Sequence, residues 1–178
     1  MHAHLPIRFA DGTFWLARIL RDNLTSFSSQ KLSNEILTSE CATLKWLETP
    51  GVPAPRLHCY GLRNDPTNKA GVAFMLVDQL PGQLLDQYNA TNDQKQRAYA
   101  QLGAILSLLS QHPLGRIESF ILDEHGSVCI GPVMGDRTGT LSRLGPFDDA
   151  TSYYTGWPDE SLRLIAGGQL FSHFLPAA

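Results

Sequence analysis

The feature that most limits the fold is the stretch at residues 9–20, FADGTFWLARIL. Ile7 and Phe9 alternate with Arg8, and Asp11-Gly12 then supplies a dipeptide suited to the positive φ angles of tight turns. TFWLARIL alternates again in β-forming residues. Two alternating runs around Asp-Gly predict a β-hairpin. On its second strand Phe14, Leu16, Arg18 and Leu20 share one face and Trp15, Ala17 and Ile19 the other. Both faces are apolar except at Arg18, and a cation there calls for an edge position or an anionic partner.

After a polar, Ser-rich connection, KLSNEILTSECATLKWLET repeats Ile36, Leu37, Cys41, Leu44 and Leu47 at three- and four-residue steps, the mark of an amphipathic helix that stops at Pro50-Gly51. Glu40 falls on or beside the apolar stripe and is the second misplaced charge. A proline-rich joint leads into RLHCYG, a predicted strand, and residues 64–69 read as a loop. GVAFMLV, residues 71–77, is a nearly continuous apolar run that predicts a strand buried on both faces.

The chain then changes character. Thr91 with Gln94 forms a capping-box pattern, and Ala98, Leu102, Ile105 and Leu109 make a helical stripe ending at His112-Pro113. ESFILDEHGSVCIGP predicts a small hairpin turning at residues 123–126, and the Gly-rich stretch from Val133 reads as a long loop or an edge segment. In the tail, Pro158 with Asp159 and Glu160 predicts the first turn of a last helix, weakened by Gly167-Gly168, while Asp148-Asp149 read as helix N-terminal caps. His2 and His4 fall on a terminus expected to be mobile.

Bulk properties narrow the function. A chain of 178 residues is long enough for one domain or two small lobes. Charged residues make up 17%, below the roughly 25% usual in globular proteins, and 43% are hydrophobic, so a folded interior is expected. The net charge of −3 and scattered Lys and Arg argue against nucleic acid as a partner. Three widely separated cysteines, Cys41, Cys59 and Cys129, support neither a disulfide framework nor a paired-cysteine zinc site and read as reduced core thiols. With no signal-like N-terminus and no run of about 20 apolar residues, a cytoplasmic protein without a membrane partner is the expectation.

Arg18 on a strand and Glu40 on the next helix invite pairing, because a buried charge without a partner costs several kcal/mol or more. The plainer alternative is that both reach water at element edges. FADGTFWLARIL, ECATLKWLETPGVPAPRL, GVAFMLVDQLPGQLL, RIESFILDEHGSVCIGP and GPFDDATSYY, in that order, resemble the fungal phosphotransferases of the aminoglycoside phosphotransferase type, which have a protein-kinase-like fold. The resemblance runs from about Ile7 to about Tyr154.

The resemblance implies an α+β chain. Residues 1–80 would form a kinase-like N-lobe of antiparallel sheet plus one helix, and residues 81–178 a partial helical C-lobe with a small hairpin near 116–131. It implies ATP with magnesium as cofactors and phosphoryl transfer to a small-molecule hydroxyl. Arg18 would contact the nucleotide phosphates with Glu40 as its partner, and Asp78, Gln79 and Leu80 would form the hinge beside the base. Relative to the family the chain reads as truncated at both ends. Only MHAHLP stands before Ile7, and no H-x-D-x-x-x-x-N loop or later metal-binding Asp occurs, so no residue is assigned a catalytic or metal-binding role. Asp136 within GDRTG and His173 do not substitute for that loop. An active phosphotransferase, a catalytically inactive nucleotide- or protein-binding module, and a fragment of a longer phosphotransferase all stay open. An exposed face of the helical lobe would favour self-association or a protein partner.

Overall fold

The computed structural model describes residues 2–20, 30–82, 84–86, 88–134 and 144–167. The expectations for the polar connection at 21–29, for Asp136 and for His173 fall outside the described residues. In chain order the elements are β1 (His2–Arg8), β2 (Phe14–Leu20), α1 (Gln30–Leu47), β3 (Leu57–Gly61), β4 (Phe74–Asp78), α2 (Asn92–Ser110), β5 (Ser119–Leu122), β6 (Val128–Gly131) and α3 (Ala150–Ala166). This is the α+β class expected: a four-stranded antiparallel sheet ordered β1-β2-β4-β3 in the N-terminal part, then helices and a β5-β6 ribbon. It is consistent with a kinase-like N-lobe and a partial helical C-lobe. Two compact units divide the chain, one of Met1–Asp22 with Thr43–Pro113, the other of Asn23–Ala42 with Leu114–Ala178.

In the first unit the Asp-Gly turn closes the β1-β2 hairpin. Gly12 adopts φ +89°, a region L-residues avoid. The Thr13 N–H donates to Asp11 Oδ1 at 2.9 Å, a bond that holds the exposed Asp11 carboxyl below its usual range. β1 begins at His2 and pairs along its whole length with β2, placing His4 opposite Arg18. The N-terminal histidines are therefore strand residues, because the ladder satisfies their backbone groups, and the expectation of a mobile terminus is corrected.

β4 lies between β2 and β3, and its burial alternates. Met75 and Val77 are fully buried, while Phe74, Leu76 and Asp78 are only half-buried. The run expected to be buried on both faces is therefore covered on one. Leu16 and Arg18 lie opposite Val77 and Met75 on the covered face, and buried Leu57 pairs with Val77 from the other side. Ala17 is the buried exception on the opposite face, a small side chain between its register partners Leu5 and Leu76.

α2 starts where the capping box predicts. The Gln94 N–H donates to Thr91 Oγ1 and the Thr91 N–H donates to Gln94 Oε1, so two otherwise orphaned donors are satisfied reciprocally. Yet no residue of α2 is fully buried, and Tyr99, Leu102 and Leu106 are exposed.

In the second unit Leu37, Cys41 and Ala42 of α1 are buried. β5 and β6 pair from Ser119↔Gly131 to Leu122↔Val128 around a turn in which Asp123 Oδ1 accepts the His125 and Ser127 N–H groups. The last helix differs from expectation. α3 starts at Ala150, capped by Asp149, whose carboxylate accepts the Ser152 N–H at 2.8 Å and is thereby held below the usual carboxylate range. Pro158 lies inside the helix, not at its first turn. A side chain that satisfies an end N–H sets the start more strongly than a proline, and proline's missing donor then removes one ladder bond. Glu160, expected in that first turn, instead accepts a two-pronged grip from Arg163, Nε at 2.8 Å and Nη2 at 2.6 Å. Of the cysteines only Cys41 is buried; Cys59 is exposed and Cys129 half-buried, so the three do not form a set of core thiols. No helix among the described residues is long and apolar enough to cross a membrane.

Candidate functional site

β2 and β4 are hydrogen-bonded neighbours, so the sheet alone sets the spacing between Arg18 and the chain leaving β4. The ladder runs from Ile19↔Phe74 to Trp15↔Asp78, with Arg18 opposite Met75. The half-buried Arg18 guanidinium approaches the Met75 sulfur, Nη1 to Sδ 3.7 Å. A thioether is a weak, uncharged acceptor, and this contact helps position the guanidinium. Arg keeps its charge at any working pH and can grip an oxyanion with two donors.

Asp78 ends β4 and opens the candidate hinge. Its N–H donates to the Arg56 carbonyl at 3.1 Å, and its Oδ2 accepts the Arg56 N–H at 3.2 Å. His58 Nε2 donates to Asp78 Oδ1 at 2.6 Å. With the Asp78 N–H committed to Arg56, a ligand meeting this segment would find its main-chain donors at Gln79 and Leu80, both exposed. Pro81 has no N–H to offer, and Gly82 follows at φ +123°.

Of the residues singled out from sequence, Arg18 and Asp78 are carried by adjacent strands of one sheet, with Arg18 opposite Met75 and Asp78 opposite Trp15. Glu40 lies on α1, half-buried, in the part of that helix that belongs to the second unit.

Sequence reasoning missed Trp15, Arg56 and His58. The Trp15 ring lies flat on the His58 imidazole, with centroids 4.0 Å apart and planes 13° apart, and Phe9 packs edge-on against Trp15 at 4.7 Å. The pairing of Trp15 with Asp78 was open to a register argument, since the two end adjacent antiparallel strands. His58 was not, because a register shift between Leu57 and Cys59 aims it. The neighbouring Cys59 thiol is pushed up by partial burial, the opposite of what a thiolate nucleophile needs.

A nucleoside triphosphate suits this arrangement in two respects, a permanent cation for phosphate and an exposed main-chain segment for a base edge. Magnesium does not find the same support. Among the described residues no three His, Cys, Asp or Glu side chains are grouped to hold a metal ion, and a hard cation needs several oxygens. No step is therefore derived through magnesium.

No curated protein and no solved structure matches the chain. A family model, that of the phosphotransferase enzyme family (APH), matches residues 15–160, a span that holds Arg18, Glu40 and Asp78 to Leu80 alike. Covering most of the sequence, and in accord with an antiparallel N-terminal sheet followed by helices, this match establishes that the chain belongs to the phosphotransferase enzyme family.

Proposed function

We propose that the first unit binds a nucleoside triphosphate, with ATP as the phosphoryl donor for transfer to a hydroxyl of a small molecule. Arg18 holds phosphate oxygens, and the segment of Asp78, Gln79 and Leu80 meets the base. The observation that carries the proposal is the placement of Arg18 on the strand next to the one that ends in Asp78, within a chain of a phosphotransferase family.

Transfer also needs a group that orients the acceptor hydroxyl. The sequence holds no H-x-D-x-x-x-x-N motif, and no residue of these 178 is given that role. This motif absence favours a second reading, in which the stretch is a nucleotide-binding module without catalysis of its own. The two readings share the site and differ in turnover, so one preparation tests both.

Titration of the purified chain with ATP is expected to give saturable binding, weakened about 10- to 100-fold in Arg18→Ala, as for the loss of charge-assisted hydrogen bonds. Folded protein without saturable binding, or an Arg18→Ala variant that binds as the wild type does, overturns the proposal. ATP-dependent product with a panel of hydroxylated compounds selects the enzyme; binding without product selects the module.

A further inference from the structure

Asp78, half-buried at the end of β4, is held by groups that come from both neighbouring strands. β2 and β3 flank β4, which puts their backbones about 10 Å apart, twice the spacing of paired strands. Trp15 on β2 and His58 on β3 nevertheless stack at 4.0 Å, so the two rings meet over the central strand at its last residue. Trp15 is the register partner of Asp78, and His58 Nε2 is 2.6 Å from Asp78 Oδ1. A carboxylate only accepts, so the proton of this bond sits on Nε2.

The fit depends on an irregularity in β3. Leu57 pairs with Val77 but Cys59 pairs with Leu76, so β3 advances two residues where β4 advances one, and His58 is the extra residue. Bulges of this kind re-aim a side chain at the expense of ladder regularity. Here the re-aimed side chain closes a three-membered arrangement: indole stacked on imidazole, imidazole bonded to carboxylate, carboxylate paired in register with the indole's residue. Two further bonds between Asp78 and the main chain of Arg56 fix the peptide on its N-terminal side. The more exposed pair between Arg56 Nε and Glu48 Oε2, at 3.9 Å, adds little to this.

We propose that Trp15, His58 and Asp78 form a clamp that sets the direction in which Asp78, Gln79 and Leu80 leave the sheet, making His58 a positioning residue for the base of a bound nucleotide. The inference rests on the nucleotide-binding reading above. It assigns the two halves of the ligand to different residues: Arg18 acts on the phosphates, and the clamp acts on the nucleoside through the backbone it orients. Breaking the clamp leaves the Arg18 face of the sheet in place, because Trp15 and Asp78 belong to the alternate set of side chains from Arg18 and Met75.

The test splits the ligand in the same way. Adenosine, inorganic tripolyphosphate and ATP are titrated separately into the wild-type chain and into His58→Ala, His58→Gln, Asp78→Asn and Arg18→Ala, with circular dichroism and thermal midpoints recorded for each. Expected for His58→Ala is a loss of about tenfold for adenosine, the scale of one charged hydrogen bond, with tripolyphosphate affinity unchanged. His58→Gln, which keeps an N–H donor, should recover most of the loss. Asp78→Asn should reproduce the adenosine-selective defect, and Arg18→Ala the converse pattern. If His58→Ala does not fold, His58→Gln and Asp78→Asn decide: a selective defect in Asp78→Asn with His58→Gln near wild type supports the clamp. Unchanged adenosine affinity in the folded variants, or equal losses for adenosine and tripolyphosphate, overturns the clamp while leaving nucleotide binding standing. Wild-type protein that binds neither adenosine nor ATP overturns the nucleotide reading itself, and the clamp's role with it.

Discussion

β4 and α2 are both apolar stretches of the first unit, and they are held in opposite ways. β4 has five residues and buries Met75 and Val77 completely; α2 has nineteen and fully buries none, although it carries Leu102, Ile105, Leu106, Leu108 and Leu109. A central strand cannot satisfy its backbone alone, so hydrogen bonding forces a neighbour on each side and side-chain burial comes with them. A helix satisfies its own backbone and needs no neighbour to exist. The difference teaches that an apolar pattern states which face would be covered, not that it is covered. It also locates the candidate site, since Arg18 and Asp78 are fixed by the sheet and not by the helix.

Truncating the covered face should give the largest effect. Met75→Ala removes a fully buried side chain from the strand between β2 and β3 and is expected to destabilise the protein by about 2–5 kcal/mol, the range for large-to-small core changes. Chemical denaturation gives the number. Because Met75 also supports the Arg18 guanidinium, the same variant should loosen the candidate phosphate contact. A loss under about 1 kcal/mol would mean that the strand is not held by side-chain packing, and the contrast with α2 would disappear.

Local chemistry was legible in the sequence wherever a signal and its partner lie within a few residues. Asp11-Gly12 and the Thr91–Gln94 box both form the structures their residues dictate. Arg18 stood out because a charge in an alternating apolar strand violates the strand's own pattern. What could not be read depends on pairing between distant segments. The bulge that aims His58 exists only against β4, and the alternation of burial along β4 depends on which face is covered. Pro158 misled for a related reason: proline is compatible with a helix start but does not compel one, and the Asp149 cap, not the proline, set the beginning of α3.

The cap of α2 offers a middle-sized effect. Thr91→Ala removes the side-chain oxygen that accepts from the Gln94 N–H and dismantles the reciprocal box. About 1 kcal/mol should be lost, within the 0.5–2 kcal/mol span of N-cap replacements. Thr91→Ser should keep most of the stability, because the hydroxyl is retained. Helicity by circular dichroism, followed through denaturation, separates the two variants. If Thr91→Ala costs nothing, the start of α2 is held by contacts beyond its own first turn.

Leu102→Ala should show the smallest change and is the sharpest check on the comparison. Leu102 belongs to the apolar stripe of α2 but is 52% exposed, so truncation removes little surface that folding had withdrawn from water. Alanine is also the stronger helix former, by a few tenths of a kcal/mol at most. The two terms oppose each other, and the expected net change lies within about 0.5 kcal/mol. Denaturation measured at two protein concentrations at least tenfold apart completes the test. A small change independent of concentration leaves α2 as a helix held chiefly by its own backbone and cap. A loss approaching that of Met75→Ala would show that the stripe is covered in solution, and if the loss grew with protein concentration, the cover would be a second copy of the chain.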